Sequence, residues 1–410
     1  MKPLEGLRVL ELSQALSAPF CGMMLADMGA DIIKLERPPI GDSARYNAPG
    51  KNGVTPTFSG RNRGKKSVLM DLSDPKQKEF FFEMVKSADI ILENFKPGTM
   101  EKFGCDYETL KKLNSGIILT SISGFGQTGP MKKRAAYDVV IQAESGFMSV
   151  TGTKKGELVS VGYSIADCVA GLTACAATLA ALRGREITGE GQHVDISMLD
   201  SLIATMETPF GGYVLTGDVP KTQGVGHPLA APFSVFDTKD GRKLLICINA
   251  EAQWAKLCEI MNKSEWVMDK RYQSSAARKS NEEELITEMS PIIASWNKDE
   301  LVEVMTEKGI AYGNVCSVDQ VVDSEQFKVR DMLCRVHYPD CDTSMNVIGS
   351  AIKMSGYKNE DDYTAYSIGY HTISECSKFM GKEKAHEIYD SVLKGSHESS
   401  LKAQKKAGII

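Results

Sequence analysis

The chain has 410 residues, 42% of them apolar and 25% charged, the composition of an ordinary globular protein. At roughly 150 residues per domain, that length predicts two or three packing units. A net charge of −5, from 48 Lys+Arg against 53 Asp+Glu, excludes the basic excess of a nucleic-acid or lipid-surface binder. No run of about 20 apolar residues that could span a bilayer is expected. Met1-Lys2-Pro3-Leu4-Glu5-Gly6 lacks the apolar stretch of a signal peptide, so the expected location is cytoplasmic. The cysteines stand at 21, 105, 168, 175, 247, 258, 316, 334, 341 and 376 with no CxxC, which reads as buried small hydrophobes rather than disulfides. Cys334, His337 and Cys341 lack the further ligands of a zinc site, so no metal is expected.

Along the chain, Arg8–Leu12 predicts a strand, Ala18–Met28 a helix and Asp31–Glu36 a second strand. A helix over Pro75–Ser87, a strand over Asp89–Leu92, a helix over Tyr107–Leu113 and a strand over Ile117–Thr120 follow. This spacing makes parallel βαβ units and an α/β fold with helices on both faces of the sheet. The dinucleotide fingerprint is missing. Ser13-Gln14-Ala15-Leu16-Ser17-Ala18-Pro19 stands where G-x-G-x-x-G is needed, and the glycines of Gly124-Phe125-Gly126-Gln127-Thr128-Gly129-Pro130 have turn spacing. An NAD-linked dehydrogenase is therefore disfavoured.

From Ile165 to Arg183 the chain is dense in Ala, Gly, Cys and Thr, as a buried helix in close contact with its neighbours requires. A polar stretch over Arg185–His193 precedes a strand at Val194–Ser197, and a helical pattern from Asp200 leads to Gly226-His227-Pro228. The Asp240-Gly241 turn inside Phe233–Ile246 predicts a hairpin. Helices at Trp254–Met261, Glu282–Trp296 and Lys298–Glu307 complete a smaller α+β domain. The expected boundaries are a large domain over 1–200, a linker over 201–224, the small domain over 225–325, and a linker with the rest of the large domain over 326–410. The last part runs through Val347–Met354, Ile373–Met380 and Lys384–Leu393.

Several blocks together resemble the family III CoA-transferases. They include Leu4-Glu5-Gly6-Leu7-Arg8-Val9-Leu10-Glu11-Leu12, Gly29-Ala30-Asp31-Ile32-Ile33-Lys34-Leu35-Glu36-Arg37-Pro38 and Gly41-Asp42. Arg61-Asn62-Arg63-Gly64-Lys65-Lys66-Ser67, Glu93-Asn94-Phe95-Lys96-Pro97-Gly98, Ala136-Tyr137-Asp138 and Ile165-Ala166-Asp167 follow in order. The resemblance implies a Rossmann-like large domain whose parallel sheet is built from both chain ends. It also implies a smaller middle domain and an interlocked homodimer.

The same resemblance makes Asp167 the catalytic nucleophile. It would carry CoA from an acyl-CoA to a free carboxylic acid by way of a mixed anhydride and an enzyme–CoA thioester. Coenzyme A is then a substrate, and no cofactor is needed. Read by itself, Asp167 before a helix of small residues is also a good N-cap, and the free N–H groups of that helix end are candidate oxyanion donors. Arg37, Asn94, Phe95, Lys96 and Lys102 match the family's CoA contacts, with Asn94 and Phe95 suited to hydrogen bonding and stacking. Leu16 and Tyr137 match substrate-pocket positions. Tyr137 stands where the related α-methylacyl-CoA racemases carry a histidine, which argues against the racemase or epimerase alternative. Retention of Asp167 argues against a non-catalytic acyl-CoA-binding subunit. Leu16 in place of the formyl-CoA branch's glutamine points away from formate and oxalate.

Overall fold

The computed structural model describes residues 1–46, 49–50, 54–390 and 392. Six strands form one parallel sheet: β1 (Arg8–Leu12), β2 (Asp31–Glu36), β3 (Lys66–Leu69), β4 (Ile90–Glu93), β5 (Ile118–Ser123) and β6 (His193–Ser197). Their order is β3-β2-β1-β4-β5-β6. The winding reverses between β1 and β4, and open α/β sheets bind ligands at the carboxyl ends of the strands beside such a reversal.

The helices of this stretch, in chain order, are α1 (Ser17–Asp27), α2 (Pro56–Asn62), α3 (Pro75–Val85), α4 (Thr99–Phe103), α5 (Tyr107–Leu113) and α6 (Asp138–Glu144). Next come α7 (Phe147–Val150), α8 (Ile165–Thr188), α9 (Met198–Ile203) and α10 (Glu207–Thr216). Alternate strand residues feed two cores. Val9, Ile32, Ile90 and Ile118 pack with α1 and α8, while Leu10, Ile33, Ile91 and Leu119 pack with Phe80, Phe81 and Met84 of α3. Burial on both faces explains why these strands read as continuous apolar runs. Asp74 caps α3 by accepting from the amides of Lys76 and Gln77, and Pro75 fits the first helical position, where no N–H is required.

The small residues of α8 do what their size allows. A β-carbon on Gly171 would lie 2.7 Å from the Ser17 carbonyl and 3.0 Å from the Phe20 ring, so glycine lets α8 reach α1. The helix runs on to Thr188, through part of the expected polar stretch. It also corrects the expectation of no membrane-length segment, because its 24 residues have a window of mean hydropathy 1.8. Here it packs on β5, β6 and α1 and buries Ala166, Ala170, Ala174 and Leu182, as the central helix of a globular core does.

Met1–Phe147, Val161–Thr208 and Glu325–Ile410 form one compact unit, so both chain ends belong to it. The parallel sheet is not built from both ends as expected: its six strands all lie within Arg8–Ser197, and the C-terminal part adds helices and a separate small sheet. Met148–Ser160 and Pro209–Ser324 form a second unit. In the second, β7 (Phe233–Asp237), β8 (Lys243–Cys247) and β9 (Ala311–Asn314) make an antiparallel sheet in the order β7-β8-β9. Gly241 takes φ 73° in the β7–β8 turn, and Trp254, Trp266, Tyr272 and Met289 fill the core.

The chain then adds β10 (Leu333–Tyr338), β11 (Thr343–Ile348) and β12 (Asp362–Thr364), in the order β11-β10-β12. Cys334 faces the core of this sheet, whereas His337, three residues along and on the other face, bonds Asp362 at 3.0 Å. The helix Thr372–Met380 and helical residues 382–390 return to the α3 side of the large sheet. Leu393, the expected end of the last helix, lies outside the described residues.

Candidate active site

The floor of the site is a buried charge network under the β1–α1 loop. Glu11, Glu36 and Asp42 meet Lys34, Lys65 and Arg45, all at most 3% exposed. Lys34 Nζ lies 2.9 Å from both Glu11 Oε1 and Asp42 Oδ2, and Lys65 Nζ lies 2.8 Å from Glu11 Oε2. Arg45 grips Glu36 at 2.6 Å. Burial alone pulls an ammonium down, but Asp42, Glu11 and Glu36 outweigh it and hold Lys34 well above its ordinary range. Burial prevails at Lys65, which shares Glu11 with Lys34 and falls to about 8.

These charges also hold the loop. Lys34 donates to the Ser13 carbonyl at 2.9 Å, Lys65 to the Pro19 carbonyl at 2.9 Å, and the Ala15 amide donates to Asp42 at 2.9 Å. Ala15 takes φ 63°, a left-handed conformation uncommon for a residue with a β-carbon, and the Asp42 contact keeps it there. Gly22 of α1 is required by space, since a β-carbon there would collide with the Glu11 carboxylate.

This loop delivers Ser17, the first residue of α1, to Asp167. The Asp167 carboxyl is half-buried in the first turn of α8 and rises from 3.8 to about 6. Burial is the main cause and the nearby Asp138 carboxylate the second. Hydrogen bonding from the Ser17 hydroxyl and amide, and the charge of Arg61, oppose the rise.

The capping reading of Asp167 is corrected here. The helix begins at Ile165, which puts Asp167 inside it; the N-cap residue Ser164 makes no side-chain cap bond, and the Asp138 carboxylate takes that part from α6. Asp138 Oδ1 accepts from the amides of Ala166 at 2.7 Å and Asp167 at 3.2 Å, and its Oδ2 accepts from Gln142 Nε2 at 2.5 Å. The Ile165 amide bonds the Tyr163 carbonyl and the Cys168 amide the Ser164 carbonyl. The first amides of α8 are therefore engaged and are not the free oxyanion donors expected, which leaves Ser17 as the donor facing Asp167.

The other sequence-predicted residues lie around the carboxyl ends of the strands. Arg37 has a side chain 68% exposed, 3.6 Å from Asp71, and shares with Phe95, Phe103, Leu72 and Gln14 a cleft of about 270 Å³. Phe95 meets Phe103 edge-on at 6.3 Å. Lys96 is exposed and lines a neighbouring cavity of about 240 Å³ with Glu93, Glu101 and His193; Lys102 is exposed on α4. Asn94 braces the β1–α1 loop instead of facing outward with free donors: it accepts from the Gln14 amide and donates to the Gln14 carbonyl and to Ser17 Oγ. Tyr137 is 76% exposed, immediately before Asp138. Leu16 is only 6% exposed and lines neither the cleft nor the cavity, while Gln14 and Ala15 are the exposed residues of that loop.

Sequence reasoning missed Ser17, Asp138 and Arg61 as members of the site. Asp138 and Arg61 stood inside recognised blocks, yet nothing in the spacing joined either one to Asp167.

The chain matches CoA-transferase family III over residues 4–372. It is 36% identical over 364 residues to the succinyl-CoA:mesaconate CoA-transferase of Haloarcula hispanica, covering 87% of this chain and 91% of that protein. It is 36% identical over 337 residues to the succinate–glutarate CoA-transferase of Agrobacterium fabrum, covering 80% and 84%. The crystal structure of a CAIB/BAIF family protein from Brucella suis superposes with a TM-score of 0.81 at 32% identity, covering 92% of this chain and 99% of that one. A family match along nearly the whole chain, with relatives of this identity and coverage, makes the chain a member of CoA-transferase family III.

Proposed function

We propose that the protein moves CoA from an acyl-CoA to a free carboxylic acid through covalent intermediates on Asp167. The observation that carries the reading is the place of this carboxyl, half-buried in the first turn of α8, faced by Ser17 and raised to about 6. At neutral pH it is ionised and poorly solvated, which makes it a better nucleophile than an ordinary surface carboxylate. One Asp167 oxygen attacks the thioester carbonyl, the C–S bond breaks and CoA leaves as a thiolate. The thiolate attacks the aspartyl carbonyl of the mixed anhydride and expels the donor acid as its carboxylate. The acceptor carboxylate then runs both steps in reverse, so no net proton is consumed. Ser17 supplies a hydrogen bond to the oxyanion that develops on the reacting carbonyl.

The cleft at the carboxyl ends of the strands suits the nucleotide end of CoA, with Arg37, Lys96 and Lys102 supplying positive charge and Phe95 a ring for stacking. Asn94 serves this cleft indirectly, by fixing the loop that carries Ser17. The active form in this reading is a homodimer with interlocked chains, as the family resemblance implies.

Peptide mass spectrometry tests the mechanism. Incubation with acyl-CoA alone followed by hydroxylamine is expected to leave a hydroxamate on Asp167, and Asp167→Ala to abolish both adduct and turnover. An unlabelled Asp167, or an active Asp167→Ala, overturns the mechanism. Deuterium entering the α-carbon without acceptor acid would instead establish racemase chemistry.

A further inference from the structure

Arg61 is a charged group that this reaction scheme leaves without an assignment. It lies in the last turn of α2, donating from Nη1 to the Ala15 carbonyl at 3.2 Å and from Nη2 to the Tyr163 hydroxyl at 3.1 Å. Both acceptors are neutral, and no carboxylate pairs with Arg61 among the described residues. A guanidinium carries five N–H donors, so most of its capacity is unused. Its charge reaches Asp167, where it opposes the rise in pKa.

Arg61 and Tyr163 also line a cavity of about 700 Å³ whose walls include Phe20, Met23, Leu172 and Val347. Arg63 borders the same cavity, but Asp27 neutralises it at 2.6 Å. An unneutralised guanidinium in a largely apolar cavity selects a ligand that is anionic at one end and apolar along the rest. A carboxylic acid has that form, and the polyphosphate end of CoA does not.

We propose that Arg61 binds the reacting carboxylate of the acid substrate, with the carbon chain of the acid lying in this cavity. The inference rests on the transferase reading and adds to it the site and class of the acid. Each half of the exchange brings a free carboxylate against Asp167 with the Asp138 carboxylate close by, and a cation at that point removes the repulsion. One carboxylate oxygen stays on Arg61 while the other bonds to the aspartyl carbonyl carbon. The aspartyl C–S bond then breaks, CoA departs as a thiolate, and Arg61 exchanges no proton.

Steady-state kinetics with a series of monocarboxylic and dicarboxylic acids test this. Arg61→Met is expected to raise KM for every acid by about tenfold or more, with Arg61→Lys in between. Because loss of the Arg61 charge also lets the Asp167 pKa rise, the comparison is made at pH 8, where Asp167 is ionised in the unaltered enzyme. There KM for acyl-CoA should change much less than KM for the acids, and acyl-CoA alone should still label Asp167. Leu172→Glu, at a position 52% exposed and so tolerant of charge, places a rival carboxylate in the cavity and should also raise KM for the acids. An unchanged acid KM in Arg61→Met and Leu172→Glu overturns the proposal. So does a rise confined to dicarboxylic acids, which would put the remote carboxylate on Arg61. If the unaltered enzyme forms no Asp167 adduct, the covalent chemistry fails separately. Calorimetric titration of the acid into the unaltered protein and Arg61→Met then decides the binding claim, and equal affinities refute it.

Discussion

Two groups of charges lie on either side of the β1–α1 loop and are treated in opposite ways. Beneath it, Lys34 touches Glu11 and Asp42, Lys65 touches Glu11, and Arg45 touches Glu36, so each buried charge has a partner of opposite sign. Above it, Asp167 has the like charge of Asp138 beside it, and Arg61 rests on two neutral oxygens. Glu36 and Asp167 show the consequence. Burial raises both, but Arg45 and Lys34 more than reverse the effect at Glu36, whereas Asp167 ends at about 6. Paired charges fix the backbone that carries Ser17. Unpaired ones stay reactive.

The largest effect should come from breaking the paired side. Lys34→Met leaves Glu11 and Asp42 buried without the ammonium between them, a change worth about 3–5 kcal/mol. Against a typical total stability of about 5–15 kcal/mol, denaturant unfolding should show a large drop in midpoint. A loss below about 1 kcal/mol would mean that the network is not desolvated as described.

The unpaired side should answer with the opposite sign. The Asp167 pKa is raised on folding, from 3.8 to about 6, so ionised Asp167 works against the folded state. That cost is absent below pH 3.8, grows between 3.8 and 6 and is complete above about 6. Asp167→Asn, inactive in turnover, should therefore raise Tm at pH 8 relative to the unaltered protein, and the gain should vanish near pH 3.5. Equal Tm values at pH 8 would show that the site carries no such cost.

The parallel sheet was legible because β1, β2, β4 and β5 are short apolar runs buried on both faces, separated by helix-length segments. β3 was not. It is four residues long, opens with Lys66-Ser67 and lies at the edge of the sheet. Asp167 was legible through its block, but its environment was not. Ser17 precedes it by 150 positions and Arg61 by 106, and only the packing of α8 on α1, permitted at Gly171, brings Ser17 to it. The misassigned cap has the same origin. An aspartate near a helix start is a good local candidate, and only the folded chain shows Asp138 occupying the amides first.

Asp138→Asn isolates the like charge with the least structural disturbance. The amide oxygen can still accept from Ala166 and Asp167, so the cap is largely kept, while the negative charge and the bond accepted from Gln142 Nε2 are lost. Asp167 must be ionised to attack, and kcat/KM for acyl-CoA in the unaltered enzyme should rise with pH along a limb centred near 6. Without the Asp138 charge the Asp167 carboxyl ionises more easily, so the limb should move to lower pH, towards the ordinary carboxylate range. The plateau rate should fall modestly, because a carboxylate of lower pKa is a weaker nucleophile. Asp138→Ala should shift the limb the same way and also cost about 1 kcal/mol of stability through the lost cap. A limb that stays near pH 6 in both variants would mean that burial alone raises Asp167, and that Asp138 shapes the helix without tuning the nucleophile.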